Sequence, residues 1–352
     1  MNTITLQDMP DDVLELIYSN LDIKDTVSTN VALHRRIIKS KIVKVFDEFD
    51  FNKIHESYHK YIDIYFKIDL KDIDKYKNVY GITIKNDNYL KLKDFNNLKS
   101  LTCFTFNNID YSSLTNKTEL YCPYNDLTNI NTLTNLKILY CFDSKINDIS
   151  KLVNLTTLVC KDTNIEYVNN SVNLTYLNCN NCAKIDNVDN LINLTHLYCD
   201  NTKISRVNHL TKLIKLSCVN TNVVDVFNLT KLKVLRCYGT KILHVNNLVN
   251  LTELKCNSCK IYDISQLVNL TELDCTYTKI KYVNNLTKLL YLVCNSTEIE
   301  DISNLVNLET LHCSGSKVKN VSKNKRLDTL FCRNTSITIT KELRKRIKTI
   351  RY

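Results

Sequence analysis

From Leu101 to Ile337 the hydrophobic and polar positions repeat with a fixed period. Cysteine recurs at 103, 122, 141, 160, 179, 199, 218, 237, 256, 275, 294, 313 and 332, in steps of 19 residues with one step of 20 between Cys179 and Cys199. Leucine stands two residues before every one of these cysteines and five before in twelve of the thirteen, the exception being Lys117. A branched aliphatic residue follows five after in eleven rungs and six after in two (Ile109, Ile185), with further apolar positions eight and eleven after, as in Ile264 and Leu267. The L-x-C alternation puts both side chains on one face of a short strand. The later spacing of three suits a 3₁₀-like or extended segment. Nineteen residues leave no room for an α-helix beside a strand and two turns. Each rung is therefore a flat coil that buries its leucines only by stacking on its neighbours, and thirteen parallel strands about 4.8 Å apart make a sheet roughly 60 Å long.

The pattern extends past the cysteines at both ends. Val79, Ile82 and Ile84 align with the two leucines and the cysteine of the next rung, so residues 79–97 are predicted as a degenerate rung. Ile62, Ile64, Phe66 and Ile68 alternate and predict a strand within 61–78, after a segment over 35–58 that reads as helical; residues 37–78 form a linker with a possible first rung. The 20-residue step predicts a bulge near 183–184. Ile347, Ile350 and Tyr352 repeat the spacing once more and predict a closing strand after a short basic helix, with 341–352 as the cap.

Together these features form the leucine-rich-repeat pattern at the short end of its length range, and the phase resembles internalin-type repeats. The resemblance implies a leucine-rich-repeat solenoid, with a parallel β-sheet on the concave face and 3₁₀ or extended segments on the convex face. Residues 1–36 differ in kind. Met9-Pro10 precedes an apolar stripe through Ile17 and Leu21, and Leu21-Asp22-Ile23-Lys24-Asp25 follows as a turn leading to Val27 and Val31. This resembles the F-box, a small all-α module, although Val31-Ala32-Leu33-His34 stands where the family has Val-Cys-x-x-Trp. The resemblance implies that Met9, Pro10, Ile17, Leu21, Asp25 and Val31 contact a Skp1-like adaptor of a cullin ubiquitin ligase. The bland alternative is a helical cap over the first rung.

Composition changes the picture in three places. With three Gly, two Pro, no Trp and two alanines among 352 residues, the codon usage points to an AT-rich genome, and proteins of this kind resemble those of giant DNA viruses of amoebae. The net charge of +10 can mark a nucleic-acid partner. Here the lysines form no dense stripe along the chain, so nucleic acid is not expected. Of the 15 cysteines, thirteen share the repeat column as small buried hydrophobes, and Cys182 and Cys259 share the position three later, where seven rungs carry Thr. That position bonds open backbone groups of the turn, so neither a metal nor a cofactor is expected. The N-terminus has no basic start and apolar core, and no 18-residue apolar run exists. The N-L-T tripeptides at Asn154, Asn193 and Asn250 are read as repeat grammar. The expectation is an intracellular, cytoplasmic monomer (in the host cytoplasm if viral), off the membrane and with reduced thiols.

Function must then sit on outward strand positions. Phe104, Tyr121, Ile138, Tyr140, Phe142 and Val159 form a candidate partner-binding patch, since exposed aromatic patches mark interaction sites. A second, mixed-charge zone combines Lys215, Arg236 and Lys255 with Glu253, Glu272 and Asp274. His196, His209, His244 and His312 are scattered, and three glycines exclude Gly-rich phosphate loops, so no enzyme is expected. Three readings follow: a ubiquitin-ligase adaptor selecting an unknown protein substrate, a plain repeat scaffold without a ligase, and a basic nucleic-acid binder with strongly salt-dependent affinity.

Overall fold

The computed structural model describes the strands Val43–Val45 and Ile62–Ile64 and residues 76, 78–84, 98–103, 114–127 and 129–352. They fall into two units, Met1–Ile146 and Asn147–Tyr352. The F-box-like residues Met9, Pro10, Ile17, Leu21, Asp25 and Val31 lie outside the described residues, as does Phe104.

In the first unit, strands β1 (Val43–Val45), β2 (Ile62–Ile64), β3 (Gly81–Ile84), β4 (Ser100–Cys103), β5 (Glu119–Tyr121) and β6 (Ile138–Tyr140) pair in parallel, each with the next. Ile82, Leu101, Leu120 and Leu139 lie in one register column and are fully buried. Strand β1 corrects the helical reading of 35–58 at this point. Its V-x-V alternation favours a strand once a parallel partner is available at β2, and the ladder therefore begins before the cysteine pattern does.

The second unit continues the same grammar in β7 (Thr157–Val159), β8 (Tyr176–Asn178), β9 (His196–Tyr198), β10 (Lys215–Ser217), β11 (Val234–Arg236), β12 (Glu253–Lys255), β13 (Glu272–Asp274), β14 (Tyr291–Val293), β15 (Thr310–His312), β16 (Thr329–Phe331) and β17 (Thr349–Arg351). Before β17 comes one helix turn and a half, α1 (Lys341–Arg346), whose N-cap Thr340 accepts from the Leu343 amide at 3.2 Å. The closing strand and helix stand where the spacing predicts them. After each strand the chain turns through a left-handed residue two after the cysteine, from Asp162 to Asn334, with glycine only at 239 and 315. The apolar triplets then close 3₁₀-type bonds, as in Leu229 N to Val226 O and Leu232 N to Leu229 O, both 3.0 Å. The extra residue of the long step is absorbed between Cys182 and Ile185, with Ala183 and Lys184 exposed.

One feature of the extended side goes beyond the 19-residue pattern. Asn208, Asn246 and Asn284, 38 residues apart, each donate from Nδ2 to an aspartate of the next rung: Asp225 at 2.6 Å, Asp263 at 2.6 Å and Asp301 at 2.7 Å. Each Oδ1 also accepts a backbone amide of that next rung, from Asn228, Gln266 and Asn304. The rungs are thus clasped in pairs.

Candidate interaction face

Because the strands are parallel and in register, outward side chains at one rung position stand about 4.8 Å apart, and aromatic ones stack. In the first unit the Tyr121 and Tyr140 rings stack with centroids 4.7 Å apart, and Tyr124 meets Phe142 edge-on at 5.5 Å. Tyr121, Ile138, Tyr140 and Phe142 are all half-buried. Val159, expected to be exposed with them, is a correction in that respect: it is only 7% exposed. Short side chains on the outward face sink between longer neighbours. Ser217, flanked by Tyr198 and Arg236, and Val293, flanked by Asp274 and His312, are buried in the same way.

The outward face of the second unit divides into three stretches. Tyr176 packs against His196 and Tyr198, with centroids 5.7 and 5.6 Å away. A polar stretch follows. Asp200 accepts from Ser217 Oγ at 2.7 Å and the Val219 amide at 2.8 Å. Glu253 pairs with Arg236 at 2.8 Å and Lys255 at 3.6 Å, and Asp274 accepts from Asn257 Nδ2 at 2.7 Å. The third stretch is a row across four strands: Tyr291 to His312 at 5.7 Å, His312 to Phe331 at 4.3 Å, and the Arg351 guanidinium 5.1 Å above the Phe331 ring. Burial holds the His312 imidazole below its usual value against the pull of Asp274, and burial together with Lys215 does the same at His196. Both histidines are therefore neutral rings in their stacks at pH 7. The sequence contains the signal for this second aromatic row, since His312 and Phe331 share the column of Tyr121 and Tyr140, one residue before the cysteine.

The inward side is occupied by thiols and hydroxyls. Thr163, Thr202, Thr221, Thr240, Thr278 and Thr297 each donate to the carbonyl of their own rung's cysteine at 2.6–2.7 Å. Cys182 and Cys259 replace that threonine and donate to the cysteine carbonyl of the preceding rung, Cys160 O at 2.9 Å and Cys237 O at 3.0 Å. The position satisfies open backbone groups, as the repeat pattern implies. Among the described residues no three His, Cys, Asp or Glu side chains gather as metal ligands, and no helix is long and apolar enough to cross a membrane.

No protein-family model matches the chain, and no curated protein does. Solved structures do. An internalin from Listeria monocytogenes is similar with a TM-score of 0.64 and 24% identity, over 75% of this chain and 89% of its own. The functional domain of InlJ from the same organism, described as including a cysteine ladder, gives a TM-score of 0.65 and 25% identity over 76% of this chain, which spans 65% of that one. A leucine-rich-repeat protein of Leptospira interrogans gives 0.59 and 16%, over 81% of this chain and 98% of its own. With the parallel ladder, the repeating turn and the buried leucine column, the fold is a leucine-rich-repeat solenoid.

Proposed function

We propose that the protein is a non-enzymatic recognition module that binds another protein on the outward face of its sheet, and that its N-terminal segment connects that partner to a Skp1-type adaptor of a cullin ubiquitin ligase. The observation that carries the first half is the set of stacked, half-exposed aromatic rows, Tyr121 with Tyr140 and His312 with Phe331. These side chains point away from the leucine column, so the core does not account for them, and aromatic residues of this kind dominate protein interfaces. The second half is supported by the sequence motif through Met9, Pro10, Ile17, Leu21, Asp25 and Val31.

The test is a pair of variants of the full chain, checked for folding by circular dichroism. Pro10→Ser with Ile17→Ser and Leu21→Ser abolishes retention of a purified Skp1-type adaptor and leaves the captured partner in place. Tyr121→Ala with Tyr140→Ala does the reverse. If the parent chain retains no adaptor, the ligase connection is wrong and a plain repeat scaffold is the remaining reading.

A further inference from the structure

The rung position four residues after the column cysteine follows the left-handed turn, where the chain enters the extended side. In the second unit it carries Lys241, Lys260 and Lys279 on three successive rungs, all exposed, with Lys281 exposed two residues further on. The strands that precede them pair in register, Arg236 with Lys255 and Lys255 with Asp274, so the lysines stand one strand spacing apart, about 4.8 Å at their bases. Like charges at this spacing repel. Acids offset other lysines along this edge: Lys184 pairs with Glu166, Lys317 with Glu298 and Lys319 with Glu300, and Glu298 also acts electrostatically on Lys281. Among the described residues, Lys241, Lys260 and Lys279 make no ion pair. Asp263, three residues after Lys260 on the same rung, is hydrogen-bonded by Asn246 Nδ2 at 2.6 Å and by the Ser265 amide at 3.0 Å.

Exposed tyrosines flank this row on both sides. Tyr238 and Tyr277 precede the lysines in their rungs and Tyr262 and Tyr282 follow, from 44% exposed at Tyr238 to 82% at Tyr282. Beyond Lys279 the row opens into a depression of about 470 Å³ lined by Thr278, Lys279, Lys281, Ser296, Thr297, Glu298 and Gly315. The cations run in single file, which fits a chain-like polyanion better than a bilayer surface, and the tyrosines offer faces to planar groups. An electrostatic track with aromatic faces is how proteins hold single strands without reading sequence. We propose that the edge formed by Lys241, Lys260, Lys279 and Lys281 with the four tyrosines is a binding strip for single-stranded nucleic acid. The sequence, read linearly, spreads these lysines 19 residues apart; folding brings them into one line.

The experiment is fluorescence anisotropy of the full chain with a labelled oligothymidylate at several salt concentrations. Three neutralised phosphates give a slope of log affinity against log salt of about −2. Lys241→Gln with Lys260→Gln and Lys279→Gln weakens binding at least tenfold and flattens that slope. Tyr238→Ala with Tyr262→Ala weakens it at least fivefold and leaves the slope unchanged. Lys212→Gln with Lys231→Gln and Lys288→Gln, which removes the same charge from another rung position, leaves binding as it was. The proposal is overturned if the parent chain does not bind at low salt, or if the two lysine triples behave alike, which makes the effect one of net charge. Tyrosine-independent binding, equalled by polyglutamate or by phosphatidylserine vesicles, assigns the strip to anions in general and overturns it as well.

Discussion

A thiol in the middle of the ladder has nowhere to put a negative charge. Burial pushes the eight column thiols from Cys179 to Cys313 above their ordinary value near 9.0, aided at Cys237 first by the Cys259 thiol. Cys182 and Cys259 go the other way, to about 7 and about 6, chiefly because the Cys160 and Cys237 thiols bond to them. A raised folded value gives stability that is complete below the unfolded value and lost above it. Each column thiol therefore costs about 1.4 kcal/mol per pH unit above about pH 9, and the lowered pair adds stability only as pH rises from about 6 towards 9. Thermal melts against pH should rise slightly to about pH 9 and then fall steeply, and Cys256→Val should lessen the alkaline slope. Lys117, buried in a leucine position, is brought down to about 8 by burial and then by Lys99. Lys117→Leu should raise the melting temperature most below pH 8, with the gain fading between 8 and 10.5. Gly239 has φ +72, and a Cβ there would collide with Asn220 Oδ1. Gly239→Ala should cost about 1–3 kcal/mol, part of it recovered when Asn220→Ala is added. Lys117 stands out in the sequence as the one break in the leucine column. Gly239 does not, because the amide ladder that ends against it, Asn181 to Asn201 to Asn220, exists only across rungs.

At the scale of one rung the sequence was nearly sufficient. The strand centre, the buried leucines, the threonine position and the closing helix and strand were all legible in the spacing. The reason is that each rung packs only on its neighbours and must satisfy the same geometry every time. Two things were not legible. The strand Val43–Val45 carries no cysteine and lies in a run that also suits a helix. The clasp between paired rungs has a period of 38 residues and uses Asn and Asp, which a search for apolar repeats passes over. The packing argument predicts that Leu216→Ala costs about 2–5 kcal/mol and Leu330→Ala less, although both are buried. Leu216 has strands β9 and β11 on either side, while Leu330 has only the terminal strand β17 beyond it. Denaturant melts of the two variants decide this; equal losses would mean that the end is held as firmly as the middle.

For the molecule as a whole, the inward side of the rungs makes the fold, and we propose the outward side for recognition. The outward rows were partly legible. Tyr121 and Tyr140 stand out as large side chains one residue before a cysteine, and their stacking follows from register. Val159 was misplaced because exposure depends on what stands on the adjacent strands and not on alternation alone. The lysine strip was missed for the opposite reason: its residues gather only when rungs stack. The measurement that bears most directly on this division is the affinity of the captured protein partner for the parent chain and for Tyr121→Ala with Tyr140→Ala, taken beside the melting temperature of each. The account predicts an unchanged melt and an affinity lower by about thirtyfold or more, the loss of about 2 kcal/mol that an aromatic anchor carries. Equal affinities, or a variant that melts well below the parent, would contradict it.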